Sequence, residues 1–362
     1  RTWLCSKPDR KDGNAPNGNR SYYLTRSQPP FFAAMVMLLA QFEGLEAGCS
    51  FLPALEREHR FWMDGEDKLN RVHRACKRVA WLDTDTVLNR YWDGEHRPRA
   101  ESYREDAALA EGLEKSGQLV LYQQIRAAAE SGWDFSSRWL QDGQALQRII
   151  TTEIVPIDLN CLLYNSERVI AELHQYRGCQ EKADVFQARA MRRKAAILKY
   201  GWDEHHQFFT DYHVETQAST GLLSLAGVYP LYFRIASREQ AHQVAFRLRK
   251  QFLYPGGLVT TFNQTGQQWD WPNGWAPLQW LAIHGLISYG HDLLAKDIAE
   301  RWLALNRQVF RHQGVMVEKY NVVQATFDRH AGGEYPNQRG FGWTNGVAIA
   351  LAQGLTPLMP DA

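Results

Sequence analysis

The sequence predicts an all-α fold built from pairs of helices. Apolar residues recur at three- and four-residue spacing, with few β-branched runs, in the segments 32–42, 184–200, 276–289 and 292–310. Gly290 follows the third segment, and His291-Asp292 opens the fourth after only a short turn. Since antiparallel helices are joined by such short turns, these two segments predict an αα-hairpin. Similar pairs recur without a fixed sequence period, so the pattern does not indicate a solenoid.

Long polar and aromatic loops separate the predicted helices. They cover residues 16–30, 82–103, 130–139, 254–280 and 318–343. Loops longer than about 15 residues inside a compact domain usually carry function. Five of them on one chain predict a single functional face made of loops. No low-complexity linker or charge run divides the chain, so we expect one domain.

Composition narrows the classes of partner. The chain has 362 residues, 44% of them hydrophobic, with 41 basic and 40 acidic side chains and a net charge of +1. This balance creates no field that would favour nucleic acid or an anionic membrane. The longest apolar run, residues 31–40, has about half the length that a membrane-spanning helix needs. The sequence therefore predicts a neutral ligand and binding to neither nucleic acid nor membrane.

Cysteine usage is sparse. The five cysteines are odd in number, widely spaced and never in a CxxC pair: Cys5, Cys49, Cys76, Cys161 and Cys179. This pattern argues against a zinc site or a dense disulfide scaffold. Scattered thiols are the simplest interpretation, and one disulfide between two of them stays open.

The stretch 266–280 combines stacking surfaces with hydrogen-bonding groups. It contains four tryptophans, interleaved with Asp270, Asn273 and Gln279. A sugar presents apolar C–H faces that stack on aromatic rings, and its hydroxyls need amide or carboxylate partners. The stretch therefore predicts a carbohydrate pocket. The alternative is a tryptophan-rich corner of the core, closed by the Pro-Asn-Gly turn.

Asp134 lies between two aromatic residues, Trp133 and Phe135. Desolvation by such neighbours raises the pKa of a carboxyl group, which a general acid needs near neutral pH. The alternative is structural, because Asp134 or Ser136 could cap the helix that follows.

Two further carboxylates occur in other aromatic loops. Glu318 precedes Lys319 and Tyr320, and Glu334 follows a pair of glycines. Glycosidic bonds are cleaved by two carboxyl groups on opposite sides of the bond, so the chain carries candidates on separate loops. For Glu318 the alternative is a surface ion pair with Lys319.

The segment 97–103 places Arg97, Arg99 and Glu101 around a proline-stiffened turn. Guanidinium groups suit both adjacent sugar hydroxyls and the orientation of a catalytic carboxylate. The alternative is a solvated charged turn.

Six segments together carry a family resemblance. In chain order they read PNGNRSYYLTRSQPPF, RPRAESYRED, ESGWDFSSRW, QQWDWPNGWAPLQW, EKY and GGEYPNQRGFGWTNGV. They resemble the motifs of the trehalase family, inverting glycoside hydrolases that split α,α-trehalose into two glucose molecules, and they occur in that family's order. Six ordered matches outweigh the structural alternatives given above. The resemblance implies an (α/α)6 toroid with its pocket at the loop-bearing end.

The resemblance also implies residue roles. Asp134 matches the family's general acid, and Glu318 matches the general base that activates water. An inverting pair needs roughly 6.5 to 9.5 Å between its carboxyl groups to admit that water. The positions that match the family's sugar-binding residues are Asn17, Arg26, Arg99, Glu101, Gly132, Trp269, Asp270, Trp275 and Glu334.

Each class of sugar-binding residue has an implied task. Arg26 and Arg99 would hold hydroxyls and orient carboxylates, the tryptophans would pack on sugar faces, and Glu334 would close a glycine-hinged lid. Two carboxylates and a water complete the chemistry, so the resemblance implies no metal and no organic cofactor. The expected partner is trehalose, and we expect a monomer.

Two segments depart from the family pattern. Residues 1–15 do not resemble the family's earlier motif of the form PGGRFxExYxWDxY, and residues 321–333 are less rich in glycine than the family's loop. We therefore expect an atypical segment over 1–15 and a catalytic domain over 16–362 that lacks the first part of the toroid. One alternative is a catalytically impaired trehalose-binding fragment, and another is a different toroid hydrolase of α-glucans.

The motifs ESYRED and ESGWDFSSRW resemble those of the periplasmic bacterial type. We therefore expect a periplasmic location, with a cytoplasmic enzyme as the alternative.

Overall fold

The computed structural model describes residue 13 and residues 15–84, 86–327 and 332–354. Helix accounts for 53% and strand for 12% of the described residues, which confirms the prediction of a mainly helical fold. Most of the atypical segment 1–15, and residues 328–331 of the altered loop, lie outside the described residues.

The α-helices differ widely in length. Within the described residues they are α1 Phe32–Glu43, α2 Leu45–Cys49, α3 Leu52–Trp62, α4 Tyr103–Leu109, α5 Lys115–Ser131, α6 Ile157–Tyr176, α7 Gln180–Tyr200, α8 Tyr229–Tyr232, α9 Arg238–Arg247, α10 Ala276–Ser288, α11 Asp292–Gln313 and α12 Gly342–Ala352. The four helices predicted from periodicity correspond to α1, α7, α10 and α11 and are confirmed. Their ends differ by at most four residues from those predicted.

The strands are short. They are β1 Ala75–Cys76, β2 Val79–Asp83, β3 Thr86–Asn89, β4 Ile154–Val155, β5 Trp202–Asp203, β6 Phe208–Phe209, β7 Tyr212–His213, β8 Ala218–Ser219, β9 Leu253–Tyr254, β10 Gly257–Leu258, β11 Asn273–Trp275 and β12 Lys319–Asn321. The prediction of a structureless loop over 82–103 is wrong at its beginning, because β3 pairs antiparallel with β2 there. β-branched Thr86 and Val87 favour this extended backbone.

Contacts divide the chain into two compact units. Unit 1 contains Arg1–Gly132, Ile150–Tyr200 and Tyr212–Ala218, and unit 2 contains Trp133–Ile149, Gly201–Asp211 and Ser219–Ala362.

The core of unit 1 lies where α1, α2 and α3 pack on α6. Ala33, Val36 and Met37 are buried at the spacing that aligns side chains on one helical face. They pack against Val169, Ile170 and Leu173 of α6. Helix α6 also packs along α7, which starts after a turn of three residues. The loop that carries Arg26 is held by α5, because Glu130 accepts from the Ser27 N–H at 2.9 Å.

Unit 2 is organised around α10. This helix packs against α8, α11 and α12, and the close pairing with α11 confirms the predicted helical hairpin. A Cβ atom on Gly285 would lie 3.0 Å from Leu231 Cβ, so a glycine lets α8 approach. Strands β11 and β12 pair antiparallel with Trp275 opposite Lys319. That pairing joins the tryptophan-rich stretch to the segment that follows Glu318.

Candidate active site

Glu318 and Lys319 are buried side by side in unit 2. Glu318 is 3% exposed and Lys319 is 0% exposed. The alternative of a surface ion pair is therefore wrong. It failed because the sequence shows the charges of two neighbours but not the strand pairing that buries both.

Each carboxylate oxygen of Glu318 has a defined donor. Lys319 Nζ lies 3.0 Å from Glu318 Oε2 and also donates to Gln268 Oε1 at 2.9 Å. The Tyr335 hydroxyl donates to Glu318 Oε1 at 3.3 Å. The lysine ammonium lies over the rings of Trp275 and Tyr335, at 5.4 and 5.3 Å from their centroids. These contacts hold the carboxylate in one orientation.

Asp134 lies in unit 2, two residues after Gly132, which caps the C-terminus of α5. Gly132 has φ +77°, a left-handed conformation that suits glycine at a helix C-terminus. Asp134 is half-buried between the buried rings of Trp133 and Phe135. The cap of the short 3₁₀ segment that follows is Ser136, whose Oγ accepts from the Arg138 N–H at 3.2 Å.

The segment after Asp134 is fastened to the tryptophan-rich stretch within unit 2. Gln268 Nε2 donates to the backbone oxygen of Asp134, and the Trp269 N–H donates to the Phe135 oxygen at 3.1 Å. Burial raises the pKa of Tyr335, and the negative charges of Asp134 and Glu318 raise it further. The hydroxyl of Tyr335 therefore stays protonated within the field of both candidate carboxylates.

Three tryptophans of unit 2 form a stack. Trp133 and Trp269 lie 5.1 Å apart, and Trp269 and Trp275 lie 3.8 Å apart with nearly parallel rings. Trp343 meets Trp269 and Trp275 edge-on. All three stacked rings are at most 4% exposed, so they present little open stacking surface here. The buried Trp269 Nε1 has no hydrogen-bond acceptor among the described residues.

Asp270 serves as an anchor between loops of unit 2. Its carboxylate is 0% exposed and accepts hydrogen bonds from Ser136 Oγ, Ser137 N and Oγ, Thr261 Oγ1 and Thr265 Oγ1 at 2.5 to 2.9 Å. Burial raises its pKa, and these hydrogen bonds oppose the rise. The side chain predicted to bind sugar is occupied by protein donors and fixes the segment that carries Asp134.

In unit 1, Arg26 is the centre of a buried charge cluster. It is 1% exposed, and its Nη2 lies 2.6 Å from Glu101 Oε1. Asp93 lies 3.7 Å from Arg26 Nε and 2.9 Å from Arg126 Nε. Arg26 Nε itself has no partner of hydrogen-bond geometry among the described residues. Two predicted residues, Arg26 and Glu101, are thus brought together.

Arg99 is fixed by Asp106. The arginine is 2% exposed, its Nη2 lies 2.6 Å from Asp106 Oδ1, and its backbone N–H donates to Asp106 Oδ2 at 2.7 Å. The alternative of a solvated charged turn is wrong for Arg99. It holds for Arg97, whose side chain is 71% exposed.

Asn17 is tied into the same unit. Its Nδ2 donates to the Ser27 oxygen at 3.1 Å, while its buried Oδ1 has no partner among the described residues. Nearby in the hydrogen-bond network, buried Glu130 accepts from the Ser27 N–H and pairs with Arg78 at 2.5 Å. Burial raises the pKa of Glu130, and the Arg78 charge opposes this.

Glu334 lies on an exposed segment after Gly332 and Gly333. Both glycines have positive φ, and a Cβ atom on Gly332 would lie 2.5 Å from the Gly266 oxygen. The Gly333 N–H donates to that same oxygen at 3.0 Å. The glycine pair therefore allows a close approach between two loops of unit 2.

Sequence reasoning missed several residues of these networks. Each stands inside or beside a motif already recognised, so its signal was proximity to a predicted site residue: Asp106, Glu130, Gln268, Lys319 and Tyr335. Their tasks could not be read from spacing, because most of their partners lie far away along the chain.

The described ranges hold neither a candidate metal site nor a membrane-spanning helix. No group of three or more His, Cys, Asp or Glu side chains there could hold a metal ion. The described cysteines, Cys49, Cys76, Cys161 and Cys179, are free thiols. None of the described helices combines the length and apolarity needed to cross a membrane.

Comparison with known proteins shows which family the chain belongs to. The sequence matches the family model for trehalase over residues 10–355. The chain belongs to the trehalase family. It is 47% identical to the periplasmic trehalase of Pseudomonas aeruginosa over 339 residues, which cover 94% of this chain and 62% of that protein. It is 44% identical to the periplasmic trehalase of Citrobacter koseri over 345 residues, which cover 95% of this chain and 60% of that protein.

A solved trehalase structure supports the fold. The neutral trehalase Nth1 of Saccharomyces cerevisiae is similar with a TM-score of 0.70 at 27% identity, over 96% of this chain and 68% of that one. This likeness confirms the predicted (α/α)6 toroid class. The trehalase-family chain spans about three fifths of the length of the curated relatives it matches.

Proposed function

We propose that this chain hydrolyses α,α-trehalose to two glucose molecules with inversion, with Asp134 as general acid and Glu318 as general base. The observation that carries the proposal is the buried Glu318, held by Lys319 and Tyr335 in the unit that also contains Asp134. Asp134 and Glu318 both raise the pKa of Tyr335, which supports placing the two carboxylates near the same side chain within unit 2. The similarity to proteins named periplasmic trehalase supports the substrate.

The proposed reaction needs only these two groups and water. Asp134 donates its proton to the glycosidic oxygen as the bond from that oxygen to the anomeric carbon breaks. Glu318 accepts a proton from a water molecule whose oxygen attacks the same carbon from the opposite face. One glucose leaves with its anomeric configuration retained from trehalose, and the other is released inverted.

The remaining predicted residues are proposed to bind the sugar. In unit 2, Trp269 Nε1 is a buried donor that has no partner in the part of the chain that the structure describes, and a sugar hydroxyl would satisfy it. In unit 1, Asn17 Oδ1 is a buried acceptor that also has no hydrogen-bond partner among the described residues. We propose that Arg26, Glu101 and Arg99 bind further hydroxyls through their fixed polar groups.

Four residues have proposed tasks at the margins of the substrate. The Gly132 backbone and the Glu334 carboxylate would contact hydroxyls, with Glu334 on the segment that the glycine pair allows to approach. Trp275 would support the stacking surface, and Asp270 would hold the Asp134 segment in place.

We further propose a periplasmic location and action as a monomer on trehalose. The location is supported by the relatives at 44% and 47% identity, which are periplasmic trehalases.

The direct test is glucose release from trehalose by the purified chain, with Asp134→Asn and Glu318→Gln beside it. Loss of either general acid or base typically lowers the rate by about 10²- to 10⁴-fold, and we expect both variants to keep trehalose binding in calorimetry. Glu300→Gln is the matched control, because its side chain is 66% exposed on α11. The wild-type rate should follow a bell-shaped pH profile.

Three outcomes would contradict the proposal. Trehalose binding without glucose release would favour the impaired fragment. Faster hydrolysis of maltose or starch would favour an α-glucan hydrolase. A flat pH profile would remove the acid and base assignment.

A further inference from the structure

We propose that Lys319 is a positioning residue for Glu318, and that Gln268 couples this pair to the backbone of Asp134. The inference rests on the proposed function, because it assigns the groups that hold the base and link it to the acid. All four residues belong to unit 2.

Lys319 is fixed on every side. Its side chain is 0% exposed, and a buried ammonium is retained in proteins only when it is paired and hydrogen-bonded. Its backbone N–H donates to Asn337 Oδ1 at 3.3 Å, and its backbone oxygen accepts from Asn337 Nδ2 at 2.8 Å. Together with the pairing of Trp275 and Lys319 across β11 and β12, these bonds place the ammonium without reliance on solvent.

The ammonium selects one oxygen of Glu318. Lys319 Nζ lies 3.0 Å from Oε2, whereas Oε1 accepts the longer hydrogen bond from the Tyr335 hydroxyl at 3.3 Å. We assign Oε1 as the atom that takes the proton from water, because Oε2 is held by the lysine.

Gln268 connects the base to the acid. Its Oε1 accepts from Lys319, and its Nε2 donates to the Asp134 backbone oxygen and, at 3.3 Å, to the Tyr335 hydroxyl. The amide orientation is determined, since an ammonium only donates and a backbone carbonyl only accepts. One side chain therefore fixes both segments that carry the catalytic carboxylates.

The test compares Lys319→Met and Lys319→Arg with Lys296→Met. Lys296 is the matched control, because its side chain is 71% exposed on α11. If Lys319 orients the base, Lys319→Met lowers kcat by about 100-fold, as expected when a catalytic group shifts by about 1 Å, while KM changes by less than about threefold. Lys319→Arg keeps the charge and recovers part of kcat.

The activity of the folded fraction separates positioning from a purely structural role. A merely structural lysine would lower the amount of folded enzyme and leave kcat per folded enzyme unchanged, whereas a positioning lysine lowers kcat per folded enzyme.

Two variants keep the test valid if Lys319→Met folds poorly. Gln268→Met leaves both charges in place and should lower kcat far more than it raises KM. In a Glu318→Gln background, the carboxylate that Lys319 would orient is already absent. Adding Lys319→Met to this variant should therefore lower the residual rate by less than about threefold if the lysine acts through Glu318.

The outcomes distinguish this inference from the proposed function. If the wild-type chain releases no glucose, the proposed function fails and the inference falls with it. If the wild type is active but Lys319→Met and Gln268→Met keep its kcat, the inference alone is overturned. Equal losses from Lys319→Met in the wild-type and Glu318→Gln backgrounds would also overturn it.

Discussion

Replacing Asp270 by Asn should loosen the loops that carry Asp134. The carboxylate accepts five hydrogen bonds at 0% exposure. Asparagine can keep its oxygen at the Ser137 N–H, which donates to Oδ2 at 2.8 Å. Its NH₂ then replaces Oδ1, which accepts from three hydroxyl groups, those of Ser136, Ser137 and Thr261. An unsatisfied buried donor costs about 1–3 kcal/mol, and the other bonds lose their charge assistance.

The expected destabilisation is about 3 kcal/mol, since removing a buried charge offsets part of the lost bonding. The assay is urea-induced unfolding at pH 7, with glucose release from trehalose measured in parallel. Asp297→Asn is the control, because Asp297 makes an exposed pair with Arg301 on α11 and should change stability by less than about 1 kcal/mol. If Asp270→Asn unfolds within about 1 kcal/mol of Asp297→Asn, the anchoring argument is refuted.

Three further predictions concern other buried groups. Burial raises the pKa of Glu58 to about 8, so the folded state binds this proton more tightly than the unfolded chain does. The free energy of unfolding should therefore fall by up to about 5 kcal/mol as pH rises from about 4.5 to 8. Glu58→Gln should remove that dependence in urea midpoints, and an unchanged slope would contradict the assignment. Burial lowers the pKa of His284 to about 4, so the unfolded chain is protonated first, and stability should fall by about 3 kcal/mol from pH 6.5 to 4. In His284→Gln this loss should disappear from acid titrations, and its persistence would point to another group. Asp106→Asn should loosen Arg99 and raise KM for trehalose about tenfold, since a charged hydrogen bond contributes roughly 1.5–3 kcal/mol; an unchanged KM would exclude Arg99 from substrate binding.

The long helices were predictable because their signal is local. The spacing of Ala33, Val36 and Met37 on α1 is set within a few residues of chain. The hairpin of α10 and α11 followed from a short turn. The strands β2 and β3 were missed, because two short extended segments leave too few residues to show an alternating pattern.

The motifs could be recognised, but the tasks of their residues could not. The sequence alone suggests that Lys319 is a surface charge, because it does not show that β12 pairs with β11. It also does not show that Gln268, 51 residues away, accepts from the lysine. The motif predicts Asp270 as a sugar ligand, because spacing does not show that Ser136 and Ser137, more than 130 residues distant, donate to its carboxylate. Burial at such positions depends on contacts between distant segments, which periodicity does not report.

The anchor at Asp270 has a consequence for how this sequence can change over generations. The aspartate takes its donors from two segments, one around residue 136 and one around residue 261, and hydroxyl groups of both lose this acceptor when it is replaced. A substitution in one segment therefore weakens the selection that retains the hydroxyl groups of the other. We expect these separated stretches to be inherited or lost as a block, and to resist recombination that brings them from different parents.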